Sequence, residues 1–338
     1  MKNFLQKKSI EISARKYFVD AMSAMAYGLF ATLLVGTILK TIGEELNISF
    51  LSETIWPFAR QATGPAIAMA IAYSLQSPRL VLYASAVVGL AAYEMGGPLA
   101  VFIAAILSSE TGKLISGETR IDIIITPVVT VLTGVLFSFI LGPGIQQIME
   151  GIGSIILLST HTHPFIMGMV IAVVVGMTLT LPISSAALCL MLNLEGLAAG
   201  AATIGCSAQM IGFAIISYKD NGFKGFLAQG IGTSMLQMPN IYKNWKIWIP
   251  PTLSAAIVGP IGIVFFNMKN SALESGMGTS GLVGQIGTFN ALKADFSNTY
   301  IFLSIFLLHF LLPALISYSI YIFMKKKNWI KEGDMKIF

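Results

Sequence analysis

Apolar runs alternate with short polar gaps from Tyr17 to Leu181, and the same pattern resumes from Ile183 to Met324. The runs cover roughly 17–40, 57–76, 80–93, 97–112, 121–141, 164–181, 183–200, 203–217, 222–240, 247–266 and 300–323, each read as helix against the ~20 apolar residues that cross a bilayer. Several are too short for a full crossing. Glycine or proline interrupts others, as at Gly96-Gly97-Pro98, Leu181-Pro182 and Asn193-Leu194-Glu195-Gly196. Inside a bilayer, broken helices are tolerated only where the freed backbone groups line a protein-enclosed cavity. Residues 145–158 read as interfacial or re-entrant. So do residues 276–290, which carry glycine at 276, 278, 281, 284 and 287. The pattern predicts an all-α polytopic membrane protein with about ten crossings, some of them re-entrant or broken.

Composition agrees with that solvent. Hydrophobic residues make up 55% of the 338 and charged residues 11%, against about 25% charged in a soluble domain. The run from Tyr17 to Leu39 is too long for a signal-peptide core and reads as a retained first helix. Lys2, Lys7, Lys8, Arg15 and Lys16 precede it, and Lys325, Lys326, Lys327, Lys331 and Lys336 follow the last run, together 10 of the 21 Lys and Arg. The positive-inside rule therefore expects both termini in the cytoplasm and an even number of crossings. The expected organisation is a cytoplasmic arm (1–16), a transmembrane domain (17–324) and a basic tail (325–338). The net charge of +5 is that of juxtamembrane anchors on anionic lipid, and no nucleic-acid partner is expected.

A faint repeat gives the domain two halves, 17–160 and 161–324. Ile125-Thr126-Pro127 recurs 124 residues later as Ile249-Pro250-Pro251. Duplicated halves are common in transporters, and chance likeness among small apolar residues is the competing explanation.

Charged groups inside apolar segments are costly and mark function by default. Glu94 and Glu195 sit at helix breaks, the latter two residues after Asn193. A carboxylate at a broken-helix tip can accept two hydrogen bonds from vicinal hydroxyls, as a sugar or polyol site requires; either could instead cap a helix at the interface. His161 and His163 open the run at Pro164. Two imidazoles at that spacing need a third ligand to hold a metal, so contact with substrate, proton handling or helix capping compete there. His309 reads as a packing residue. Ser184 and Ser185 follow the Leu181-Pro182 break, and Gln209 is an uncharged hydrogen-bonding group within a run. Cys189 and Cys206 fall within apolar runs and read as small packing residues. The candidate substrate residues are thus Glu94, Glu195, Asn193, His161, His163, Ser184, Ser185 and Gln209. No catalytic set, metal or cofactor is expected.

Three blocks, His163-Pro164-Phe165-Ile166-Met167-Gly168, Leu181–Ala187 and above all Gly196–Ala214, resemble the second EIIC-type membrane family of the bacterial phosphotransferase system, which includes perfringolysin-regulator-like proteins. The resemblance spans nearly the whole chain. It implies a plasma-membrane permease subunit that takes up a sugar, coupled to phosphorylation from phosphoenolpyruvate by separate IIA and IIB proteins. Only 14 residues follow the last run, so no fused IIA or IIB module is expected. The better-understood sugar permeases use a Glu and a His at the sugar; Glu195 and His161 or His163 are analogues by residue type, not by an aligned motif. A homodimer is compatible with the sequence. The rivals are a secondary transporter or channel for another small solute, and a membrane sensor controlling gene expression, against which both short termini count.

Overall fold

The computed structural model describes residues 2–11 and 13–337. The chain is an all-α polytopic membrane protein. Among the described residues no strand forms, and one isolated bridge pairs Gly196 with Asn270. The main helices are α1 (Lys16–Glu44), α2 (Thr63–Ser74), α3 (Arg79–Ile115), α4 (Asp122–Thr160), α5 (Pro164–Thr180), α6 (Ser185–Met191), α7 (Gly196–Ile216), α8 (Tyr218–Leu227), α9 (Trp245–Phe266), α10 (Val283–Leu292) and α11 (Asn298–Lys326). Among the described residues, α1, α3, α4, α7, α9 and α11 are long and apolar enough to cross a membrane. The chain divides into two compact units, residues 1–148 and 149–338, with the boundary inside α4.

In the first unit the expected runs 80–93 and 97–112 form one element, α3, bent where Gly96 leaves helical geometry and Gly97 takes φ +63°. The break is therefore present as a kink, with Pro98 buried just beyond it. Residues 145–158, expected as an interfacial or re-entrant segment, instead continue α4, which accommodates both Pro127 and Pro143. Proline removes one backbone bond and crowds the preceding turn. Gly142 and Gly144 flank Pro143, and a Cβ on Gly144 would meet nothing within 4 Å, so the turn has room to adjust. α2 lies directly on α3: a methyl on Gly64 would stand 2.2 Å from Gly89 O. Without a hydrophobic drive between helices in lipid, such small-residue contacts let backbones approach. The buried Lys113 Nζ donates to Leu75 O (3.0 Å), Ser9 O (3.2 Å) and Glu110 Oε1 (3.0 Å).

The second unit is built around α7. Of its residues, Ala199–Ala214 are all buried, and α5, α9 and α11 pack on it. Glycine sets these contacts. A Cβ on Gly205 would lie 1.9 Å from Ala172 O in α5, one on Gly212 2.8 Å from Pro251 Cβ in α9, and one on Gly200 2.0 Å from Met268 O. The small-residue block Gly196–Ala202 thus works as a packing surface, with Ile171, Val175, Ile204 and Val258 in the surrounding core.

Candidate functional site

Two hairpins enter the second unit from opposite ends of α7. The first leaves the Gly196 end. Asn270 pairs with Gly196 through both backbone bonds, N–H to O at 3.1 and 3.2 Å, and the chain then follows α7 down to Thr279, whose Oγ1 reaches Met210 Sδ at 3.4 Å. It turns at Gly281 and returns as α10, where Gly284 packs on Thr203. The turn needs glycine. Gly278 has φ +55°, and a Cβ there would stand 2.7 Å from Cys206 Cβ.

The second hairpin leaves the Ile216 end as α8, kinks at Gly222 (φ +61°), and turns over Ala228–Ser234. Gly230 lies beside Ala214 and Ile211. The tips meet: Thr279 Oγ1 donates to Gly230 O at 2.5 Å. Residues 276–290, expected to be interfacial or re-entrant, form part of the first hairpin along α7.

Polar groups collect at this junction. Thr180, the last residue of α5, bonds Ser234 Oγ at 2.8 Å and donates to Gln209 Oε1 at 3.4 Å. Trp248 Nε1 donates to the same oxygen at 3.0 Å, and Gln209 Nε2 donates to Thr252 Oγ1 at 3.1 Å. On another side of α7, Gln285 Nε2 donates to Ser207 Oγ (3.4 Å) and lies 3.1 Å from His309 Nδ1. If Nδ1 accepts, the ring proton sits on Nε2. His309 Nε2, Gln285 Oε1 and Ser280 Oγ are buried and have no partner among the described residues. A buried polar group without a partner costs about 1–3 kcal/mol.

The expected site residues divide by position. Gln209 is fully buried in the junction. Ser185 is buried and donates to Gly276 O at 2.7 Å, tying α6 to the first hairpin, and Ser184 caps α6 by accepting from Ala187 N at 3.2 Å. Asn193 (φ +48°) and Glu195 are exposed at the Gly196 end of α7, where Glu195 makes no capping bond. His161 and His163 are exposed before α5. Capping at that entry is done by His163 itself, whose Nδ1 accepts from Phe165 N at 3.3 Å; Thr162 donates back to Ser159 O. Among the described residues no three His, Cys, Asp or Glu side chains come together. Glu94 is exposed beside the α3 kink in the first unit.

Sequence reasoning missed four groups. Asn270 Nδ2 reaches Thr203 Oγ1 (2.7 Å), Gly284 O (3.0 Å) and Thr288 Oγ1 (3.2 Å), stitching both strands of the first hairpin to α7. Glu274 packs against Gly287 and keeps one buried oxygen unpartnered among the described residues. Gln285 and Ser280 lay within the glycine-rich run and carried no distinguishing signal beyond being polar there.

The family model for the phosphotransferase system EIIC component matches residues 19–337. A comparison with curated proteins and with solved structures finds no match. A match over almost the whole chain, on an all-α membrane fold whose polar residues gather where two hairpins meet, establishes that the chain belongs to the EIIC family of the phosphotransferase system, as a permease subunit.

Proposed function

We propose that this permease subunit moves a sugar across the plasma membrane for phosphorylation by separate, cytoplasmic IIA and IIB proteins. The observation that supports the reading is a set of buried polar atoms, on α11 and the first hairpin, that have no partner among the described residues. His309 Nε2 as donor and Gln285 Oε1 as acceptor, with Ser280 Oγ, match a ligand hydroxyl, which both donates and accepts. Vicinal sugar hydroxyls supply such groups in pairs. Gln209, with Ser184 and Ser185 at the α5–α6 break, completes the polar lining on this reading. Glu195 and Asn193, together with His161 and His163, belong to the entrance at the Gly196 end. Glu94 lies in the first unit, at the α3 kink.

The terminal lysines argue for both ends of the chain in the cytoplasm. Phosphoryl transfer then asks nothing chemical of this chain beyond position. A sugar hydroxyl held at the junction and exposed toward the cytoplasm attacks the phosphorus of a phosphorylated IIB side chain, that side chain leaves, and the hydroxyl proton passes to a base of the partner or to water. The permease binds, orients and excludes competing water.

Uptake of a labelled sugar panel into vesicles containing the protein tests this, with and without phosphoenolpyruvate and the soluble phosphotransferase proteins. Uptake that requires them and delivers sugar phosphate inside is the expected result. Uptake that ignores them and collapses with the proton gradient would move the protein to the secondary carriers.

A further inference from the structure

The basic tail is not a loose end. Residues 329–337 lie in a cradle of polar side chains that recognise their backbone. Asp220 accepts from Gly333 N (3.0 Å) and Met335 N (3.2 Å). Asn221 donates to Met335 O (2.8 Å) and accepts from Ile337 N (2.7 Å). Gln237 donates to Met335 O (3.0 Å), Asn240 to Lys336 O (3.0 Å), and Asn244 to Trp329 O (3.1 Å). Two apolar side chains anchor the segment: Ile330 and Met335, each 1% exposed, join Phe213, Ile216, Ile241, Ile247, Tyr321 and Met324 in one cluster.

Every one of these cradle side chains lies on the second hairpin or its immediate flanks, and the bonds continue inward. Gln237 Nε2, which holds Met335 O, also donates to Gln229 Oε1 at 2.8 Å, and Gln229 Nε2 donates to Ser217 Oγ at 2.8 Å. Gln229 adjoins Gly230, whose carbonyl receives Thr279 from the opposite tip. A short run of hydrogen bonds therefore joins the tail to the point where the hairpins touch.

We propose that the C-terminal segment is an intramolecular latch on the second hairpin. While it is seated, residues 228–237 are held against the first hairpin's tip; when it leaves, the hairpin loosens and the junction opens at the Ile216 end. Seven side-chain bonds spent on tail backbone, with two buried apolar anchors, exceed what a solvated basic anchor needs. A device that must release is expected to use backbone bonds of this kind, each worth little alone. The latch itself does not depend on the nature of the solute; only its effect on transport rests on the permease reading.

The test is amide hydrogen exchange on the full chain in lipid nanodiscs, comparing the wild type with Asp220→Ala and with Met335→Lys, which expels the buried anchor by charge. Amides of 330–337 report whether the tail has left. The expected result is exchange at 228–237 accelerated by about tenfold or more in each released variant, with α7 and the first unit unchanged. A freed tail with 228–237 exchanging at the wild-type rate would overturn the latch. So would a tail that stays protected in both variants, since the named contacts would then not be what holds it. A sugar-uptake assay on the same proteins and the wild type separates the two ideas: faster hairpin exchange in the variants, with no sugar taken up by any of the proteins, keeps the latch and sinks the sugar-uptake reading.

Discussion

At the scale of single residues, this fold depends on what is missing from side chains. Gly205 has no room for a methyl, because a Cβ would meet the Ala172 carbonyl at 1.9 Å and neither helix backbone can yield alone. Gly205→Ala should therefore destabilise the α5–α7 contact by at least about 2 kcal/mol, read as a lower unfolding temperature in detergent. Gly151→Ala is the control: nothing lies within 4 Å of its Cβ, and alanine gains about 0.5–1 kcal/mol in a helix. Equal effects at the two positions would show that helix contact does not decide these sites. The sequence marked Gln209 because an amide inside an apolar run must find partners, and Trp248, Thr180 and Thr252 supply them. It could not mark Gln285 or His309 as a pair. They lie 24 residues apart, on a glycine-rich hairpin and on a helix whose single histidine looks like packing when read alone.

At the scale of elements, the apolar periodicity located the helices, and the glycine and proline breaks located the bends. What it left out was which breaks continue a helix. The run 121–141 was expected to stand apart from an interfacial or re-entrant segment at 145–158, yet α4 runs through Pro143 between them, because proline costs a turn but does not forbid the next one when neighbouring residues have room. The terminal segments were equally opaque. Basic residues at both ends read as juxtamembrane anchors, whereas the tail is held through its backbone groups, which have no signature in sequence, and the arm through the Lys8 side chain and the Ser9 carbonyl. The arm gives a testable case. Lys8 Nζ lies 2.6 Å from Glu118 Oε1 in the loop after α3, and Lys16 Nζ donates to Ser9 O at 2.9 Å. The hydrogen bond from Lys8, and then its charge, hold the Glu118 carboxyl below its ordinary value of 4.5. A carboxyl depressed in the folded state stabilises the contact fully above its unfolded value, and that contribution is lost as pH falls through the folded value. Amide protection of residues 7–10, corrected for the intrinsic rate, should thus be flat from neutral pH to about 5 and decline below that. Glu118→Gln should remove the decline. An unchanged acid profile in that variant would assign the arm's attachment to other contacts.

At the scale of the whole molecule, charge has to agree with chemistry about which way the permease faces. Within the second unit, the end of α7 that carries the tail gathers Lys219, Lys243, Lys246, Lys325, Lys326, Lys327, Lys331 and Lys336, against Asp220, Glu332 and Asp334. The Gly196 end has Lys269 and Lys293 against Glu195, Glu274 and Asp295, and Lys269 is already paired with Asp295 at 2.8 Å. Near the surface of an anionic leaflet each lysine contributes about 1 kcal/mol, and the proposal that the tail end is cytoplasmic rests on this excess. On that proposal, a sugar leaving the junction would meet a phosphorylated partner at the end that bears the second hairpin and the proposed latch. Single cysteines placed at Lys293 and at Lys336 distinguish the faces, since the native Cys189 and Cys206 are buried. In intact cells a membrane-impermeant thiol reagent should label position 293 and spare position 336, and permeabilisation should expose the latter. The reverse pattern would put the Gly196 end in the cytoplasm. Phosphorylation would then have to take place at the Glu195–Asn270 rim, the latched hairpin would face outward, and coupling of the junction to a cytoplasmic phosphoryl donor would fail on geometry alone.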